Sequence, residues 1–533
     1  MPILVSYLSV SEMGHTMIVE KFNGPHPAEW VIKNGLLVGG TLLDCHPHYQ
    51  VGSVHDSASL HQTDSTYQFS QGWSCINLKG QRKQYAILGV HAHDSLRLTL
   101  NFEKPLASQA QSFLQQWQQW SDCKQSIMQW EAYLQSKHKQ SQELSSLIIP
   151  SMVCTYFSYE LGSALENVST NPTQVLTQNM PDLYAVRYRS IYVWDLIEKQ
   201  AWIYAYTAQD VHVLKSTLQK GYSESEKAQV MSNIKNRGSI SDSSDIPISA
   251  PPKLKALYTW EYYQACIQKI KHYIQHGEVY QINFTTPFHA HLHTVNTQSL
   301  YHSLRHINPS PFASWMQIDS HVCILSFSPE RLTQWDLKSK ITTAPIKGTR
   351  ARVEDEHIDY QNQQALLNSI KDRAEHLMIV DLERNDLAKI AQTGSVHVPM
   401  LCTLQSFASV HHLVSEIVAH VHPQASIIDI LRAILPGGSI TGAPKVRAMQ
   451  YISQLERAPR QVYCGAIGHI DLYGNADLSI PIRTAYVKDH DLYYYAGGGI
   501  VADSQATEEW QEMWDKTQAI IKGLSHYHTA LHH

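Results

Sequence analysis

Residues 466–500 read AIGHIDLYGNADLSIPIRTAYVKDHDLYYYAGGGI. Short apolar runs here flank two turn signals, Tyr473-Gly474-Asn475 and Lys488-Asp489-His490-Asp491. Gly and Asn tolerate the left-handed conformations of tight hairpins, so the stretch reads as a meander of antiparallel strands. Within it Leu478, Ile480 and Ile482 alternate with Ser479, Pro481 and Arg483. That alternation predicts one strand over Leu478–Val487, with Arg483 on the face opposite the apolar one. Gly497-Gly498-Gly499 falls on the next strand. Glycines inside a strand weaken it and mark close approach by a ligand or another backbone. An Arg beside bare backbone makes a carboxylate pocket possible, although Arg483 also reads as a plain surface charge.

Working outward, helices flank these strands. Tyr262–His276 reads as a helix ending at Gly277, followed by a strand over Val279–Phe288. Ala365–Met378 carries Leu366, Ile370, Ala374, Leu377 and Met378 at helical spacing, which predicts a buried stripe. Asp372 and Glu375, at i and i+3, share a face beside that stripe. A last helix is predicted over Thr507–Lys522, with Glu509, Glu512 and Lys516 together on one face. Taken alone, such acidic pairs are commonly solvated helix faces. If the two helices face each other, the four carboxylates form a site for a hard cation. Magnesium keeps several waters and commonly takes one or two carboxylates plus the substrate. Leu435-Pro436-Gly437-Gly438-Ser439-Ile440-Thr441-Gly442-Ala443-Pro444-Lys445 is a Gly-rich turn opening a helix. It is either an ordinary capping turn or a set of N–H groups offered to an anion. Long helices mixed with hairpins imply an α+β fold with mainly antiparallel sheets.

The chain of 533 residues carries a formal charge of -5, which argues against a nucleic-acid partner or a membrane surface. No apolar run reaches the ~20 residues of a membrane helix. The eight cysteines lack zinc or redox spacing and fit a reduced, cytoplasmic chain. No nucleophile turn surrounds any of them, so glutamine chemistry is not expected in this chain. Residues 1–222 form an N-terminal region of short strands and turns, including a helical, Gln- and Trp-rich stretch at Gln109–Lys139. Residues 223–254, rich in Ser, Asp and Lys and ending near Pro251-Pro252, read as a linker. Residues 255–525 form the second region, and 526–533 a frayed, His-rich tail. His289, His291 and His293 alternate on one strand face; without a second ligand set they read as solvated.

Taken together, Gly277–Phe284, Phe327–Leu332, Pro345–Arg352, Lys371–Leu387, His411–Glu416, Gly437–Met449, Tyr463–Arg483 and Ala496–Lys516 follow one another in the order and spacing of a known family. The chain resembles the chorismate-utilising enzymes: anthranilate synthase component I, aminodeoxychorismate synthase component I, isochorismate synthase and salicylate synthase. The resemblance implies an anthranilate synthase component I-like α+β core of two large, mainly antiparallel sheets flanked by helices. It implies Mg²⁺ held by Glu375 and Glu512, with Asp372 and Glu509 beside them. Ser439, Tyr463, Arg483, Gly498, Gly499, Lys516 and Gln281 would hold the substrate, Glu330 would be the general acid, and His412 would lie near the reacting ring.

Two positions separate the members. Isochorismate and salicylate synthases resemble each other in placing a Lys at Gln281, where it activates water. Anthranilate synthases usually carry Ala where this chain has Lys347, and Lys there marks the enzymes that aminate carbon 4 of chorismate. The resemblance therefore implies a magnesium-dependent amination, with Lys347 as nucleophile and ammonia drawn from a separate glutamine amidotransferase subunit (component II). Anthranilate synthase component I is the nearest alternative. A non-catalytic chorismate- or tryptophan-binding regulatory subunit is an alternative of another class, and the joint presence of Glu330, Glu375, Glu512 and Lys347 speaks against it. Glu160 stands where the family usually has Asp.

Overall fold

The computed structural model describes residues 18–34, 40–44, 74–76, 82–100, 105–121, 153–168, 180–221, 250–336, 340–407 and 410–532. Two large antiparallel sheets organise them, as the α+β reading expected. In the first the strand order is Ile18–Lys21, Ala201–Ala205, Ser190–Asp195, Arg82–Gly89, Thr41–Asp44, Phe312–Gln317, Val322–Ser328, Thr484–Lys488, Asp491–Ile500, Gln281–His291 and Lys255–Ala256. In the second it is Ile346–Ala351, Val410–Ala419, Ile341–Thr343, Arg331–Trp335, Ala476–Ser479, Ala466–Ile470, Val153–Phe157, Leu183–Tyr188 and Ala92–Leu98. Strands from both sides of 223–254 enter both sheets: Thr41–Asp44 pairs with Phe312–Gln317, and Val153–Phe157 with Ala466–Ile470. One continuous apolar core, from Phe22 to Tyr527, takes side chains from both. Most of the 223–254 stretch, Ile3–Leu8 and the end of Gln109–Lys139 lie outside the described residues; Leu106–Ser121 is helical.

Four expectations need correction. The predicted strand Leu478–Val487 is two strands in two sheets, Ala476–Ser479 and Thr484–Lys488. Pro481 has no N–H for a ladder, and Arg483 has φ +52°, so the chain leaves one sheet and enters the other between them. The meander is accordingly two hairpins, one per sheet. The predicted helix Ala365–Met378 is also two elements, Glu356–Leu367 and Ile370–Ala388, because Ser369 caps the second by accepting the Asp372 N–H at 3.1 Å. Leu366 is buried on the first helix, whereas Ile370 is 85% and Leu377 43% exposed, so the expected stripe is not a buried one. The C-terminal helix breaks after Asp515, and residues 518–532 form a further helix rather than a frayed tail. Buried Tyr527 anchors that helix, donating to the Thr294 carbonyl at 2.5 Å.

The helix Ala506–Asp515 docks through Trp510, which meets Trp260 and Tyr263 edge-on, while neighbouring Trp514 packs on Phe288. That contact lays Glu509 and Glu512 over the strands Gln281–His291 and Asp491–Ile500. Those strands pair in register, Gly497, Gly498 and Gly499 standing opposite Thr285, Phe284 and Asn283.

Candidate active site

Two crossings between the sheets lie side by side and carry the candidate residues Glu330 and Arg483. Ser328-Pro329-Glu330 links Val322–Ser328 of the first sheet to Arg331–Trp335 of the second. Ile480–Arg483 makes the return crossing. They are laced together: Ile480 N–H donates to Glu330 O (3.1 Å), Ser328 Oγ to Ile480 O (2.5 Å) and Phe327 N–H to Arg483 O (3.2 Å). Glu330 is thereby fixed by backbone, which aims its carboxyl away from the crossings. It is 5% exposed, and burial pushes it up to about 7 against the pull of the nearby Ser439 hydroxyl and Lys347 charge. Glu330 Oε1 and Ser439 Oγ are both buried without a hydrogen-bond partner, as are both amide atoms of Gln281. Buried polar atoms without partners are costly, and several aimed at one region mark a polar ligand's seat.

Lys347 lies on the edge strand Ile346–Ala351. A Cβ at Gly499 would come within 2.5 Å of Gln281 Nε2 and 3.2 Å of Lys347 Nζ, so the ends of both side chains lie close over this bare backbone. At Gly498 a Cβ would lie 3.2 Å from Glu509 Oε2, 3.6 Å from Lys516 Nζ and 3.9 Å from Glu512 Oε1. The two glycines thus form a floor between Lys347 with Gln281 on one side and the C-terminal acidic helix on the other. Lys516 pairs with Glu512 at 2.7 Å and donates to the Gly497 carbonyl at 2.7 Å. The Arg483 guanidinium donates to the Lys516 carbonyl at 2.5 Å, bringing the cation from the sheet crossing to the same end. Tyr463 is buried and stacked on Tyr495, ring centroids 5.5 Å apart. His412 is buried, with Nδ1 3.0 Å from Thr349 Oγ1; burial and Arg483 hold it down to about 4, so it is neutral near pH 7.

The acidic set fits a hard cation. Burial raises Glu375, with Asp372 and Glu509 adding to the rise, and burial raises Glu509 with help from Glu512. The carboxylates of the two helices therefore repel one another across a shared space, which a divalent ion relieves. Lys516 holds Glu512 low instead. Asp372 is drawn aside by Arg350 at 2.9 Å. Among the described residues no three His, Cys, Asp or Glu side chains close on one point, and magnesium does not require that when substrate and water complete its shell.

Several supporting residues had no sequence signal. Glu383 is buried under the glycine turn, where a Cβ at Gly438 would lie 3.3 Å from its Cγ. Thr343 Oγ1 stands 2.8 Å from Leu332 O and 2.7 Å from Glu383 Oε2. One hydroxyl proton cannot serve two acceptors, so when Thr343 donates to the carbonyl, Glu383 must itself be the donor. Burial agrees, pushing Glu383 up to about 8. Lys445 closes the turn from below through a buried pair with Asp386 at 2.9 Å. Arg460 pairs with Glu456 at 2.7 Å and donates to the carbonyls of Ile440 and Asn283, tying the turn to the glycine-paired strand. Glu160 accepts the N–H groups of Arg460 and Gln461 at 2.8 and 2.9 Å and so braces the segment that leads to Tyr463. Nothing in the spacing of these residues announces such contacts, which join positions up to 301 apart.

The histidines of the Gln281–His291 strand lie elsewhere. His289 Nε2 and His291 Nδ1 both meet Asp491 Oδ1, at 2.8 and 3.1 Å.

A family profile described as chorismate binding enzyme matches residues 75–522. The chain belongs to that family, the class its two sheets and crossing-borne site define. Aminodeoxychorismate synthase component 1 of Escherichia coli (strain K12) is 45% identical over 266 residues, 50% of this chain and 58% of that protein. Anthranilate synthase component 1 of Aquifex aeolicus (strain VF5) is 39% identical over 267 residues, covering 50% of this chain and 53% of that one. The chain thus spans a little over half the length of these curated relatives. The crystal structure of anthranilate synthase component I from Streptococcus pneumoniae TIGR4 superposes with a TM-score of 0.59 at 25% identity, over 86% of this chain and 95% of that one. Among the described residues no helix is long and apolar enough to cross a membrane.

Proposed function

We propose that the chain aminates chorismate at carbon 4 to 4-amino-4-deoxychorismate, with magnesium and with ammonia from a separate glutamine amidotransferase subunit. One observation carries the reading. Lys347 reaches the Gly499 floor beside Gln281, and its charge acts on Glu330, Glu375 and Glu512 alike. In its neutral form, a lysine so placed attacks carbon 2 of chorismate while Glu330 gives its proton to the departing 4-hydroxyl, which leaves as water. Ammonia then attacks carbon 4, the bond from carbon 2 to Lys347 breaks, and the new nitrogen returns a proton to Glu330. Chorismate and ammonia thus give aminodeoxychorismate and water. Arg483 and Lys516 are the cations that would meet substrate carboxylate, the Arg483 guanidinium lying against the Lys516 carbonyl. A magnesium ion would be held by Glu375 and Glu512, with Glu509 beside them, and would neutralise substrate charge. Gln281, an amide, is no base for activating water.

Some relatives are named anthranilate synthase, a reaction that also releases pyruvate. The deciding experiment supplies the purified chain with chorismate, magnesium and ammonium and resolves the products by mass. Aminodeoxychorismate without anthranilate or pyruvate is expected. Anthranilate with pyruvate would overturn the reading.

A further inference from the structure

A cavity of about 130 Å³ opens between Leu257, Tyr258, Tyr262, Pro287, Arg457 and Ala458. None of these residues belongs to the candidate active site. The Arg457 guanidinium lies over the Tyr262 ring, 3.7 Å from its centroid, and is exposed. Among the described residues no carboxylate pairs with it: its neighbour Glu456 is spent on Arg460, and Thr285 donates to the same carboxylate. The aromatic wall is rigid. Tyr258 stands edge-on to Tyr262 at 5.1 Å and accepts the Arg457 N–H at 2.6 Å, and Tyr262 donates to the Leu455 carbonyl at 2.5 Å. Both hydroxyls are committed to the backbone, so the rings offer faces and edges to the cavity, and Leu257, Pro287 and Ala458 complete an apolar lining.

A stacked guanidinium without an anion, at the mouth of a small aromatic and aliphatic cavity, has a defined complement. Stacking on an aromatic face leaves the in-plane N–H fork available for a carboxylate, and the fork prefers a planar, bidentate partner. The volume admits roughly one ring. We infer that this cavity binds a small aromatic monocarboxylate, with its carboxylate on Arg457 and its ring against Tyr258 and Tyr262, and that the bound acid regulates turnover. The regulatory link is structural. Arg457 and Ala458 lie in the turn that holds Glu456, Pro459 and Arg460. Arg460 grips the Ile440 and Asn283 carbonyls, and Tyr495, stacked on Tyr463, donates to the Pro459 carbonyl at 2.7 Å. A ligand bracing this turn acts on the substrate-side loop without touching substrate.

The test is calorimetric titration of the purified chain with benzoate, in magnesium and saturating chorismate. Saturable benzoate binding is expected, weakened at least tenfold in Arg457→Leu and in Tyr262→Leu but kept in Tyr262→Phe, which retains the ring. Arg457→Leu should keep its basal amination rate and lose the response to benzoate that the wild type shows at saturating chorismate. No saturable binding, equal binding in Arg457→Leu, or displacement by chorismate would overturn the site. Inorganic phosphate binding as tightly as benzoate would overturn the aromatic specificity, and an unchanged rate with benzoate bound would overturn the regulatory role. The binding arm is read without turnover, so its outcome does not depend on which product the chain makes.

Discussion

Glu330 combines three properties a general acid needs: a fixed backbone, a carboxyl with an unpartnered oxygen, and burial that keeps its proton up to about 7. Hydroxide is a poor leaving group, and acid help of this kind is typically worth ~10²–10⁴ in rate. Glu330→Gln should lose turnover by that order while chorismate binding, measured separately, changes little; a loss confined to KM would make Glu330 a substrate-holding residue. As a general acid Glu330 would act in its protonated form. At constant free ammonia, the ratio of wild-type to Glu330→Gln kcat/KM should therefore fall as pH rises through about 7. Among the candidate residues, Glu330, Lys347 and Gln281 were legible through the family resemblance and Gly498 and Gly499 through the glycine run, because each belongs to a local motif. Glu383 and Arg460 were not, and Glu160 was marked only as a departure from the family, because their partners are distant in the chain and only folding supplies them.

At the scale of elements, the glycine turn at 437–443 rests on buried groups that titrate. Glu383 keeps its proton up to about 8 in the folded chain, against 4.5 when unperturbed. Between those values the folded state binds more protons than the unfolded one, so stability falls as pH rises through that window. Glu383→Gln, neutral at every pH, should lose measurably less stability than the wild type between pH 6 and pH 9 in denaturant unfolding, a difference on the order of a few kcal/mol. Parallel losses in both proteins would show that Glu383 is ionised throughout. Element type was legible where one period ran unbroken, as over Trp260–Gln275, whose end at Gly277, φ +72°, was marked in the sequence. It failed where two elements abut in phase. Leu366 and Ile370 are four residues apart and share a stripe on paper, but Ser369 starts a new helix between them. Leu478 and Ile482 alternate correctly, yet Leu478 lies in a strand of the second sheet and Ile482 in the crossing that leaves it.

For the whole molecule, the proposed cation site draws on the Ile370–Ala388 helix and the Ala506–Asp515 helix together. Glu375→Gln and Glu512→Gln each remove charge from that site and should greatly raise the magnesium concentration needed for half-maximal activity. Near-wild-type activity at low magnesium in either variant would sink the assignment. Nitrogen supply is also a property of the whole chain. Five of the cysteines, Cys154, Cys266, Cys323, Cys402 and Cys464, are buried, and burial drives the Cys154 and Cys464 thiols up to about 12, far from a nucleophile's range. The purified chain should therefore use ammonium but release no glutamate from glutamine; glutaminase activity in the chain alone would contradict this.

The role proposed for Lys347 is that of a nucleophile and not merely an anion's partner. Intact-protein mass after mixing the chain with chorismate and magnesium, without ammonia, separates the two roles. A nucleophilic Lys347 should leave a covalent chorismate-derived adduct on the wild type that ammonium discharges, and none on Lys347→Ala, whose amination should be sharply slowed. Wild-type amination by Lys347→Ala, with no adduct on either protein, would contradict it.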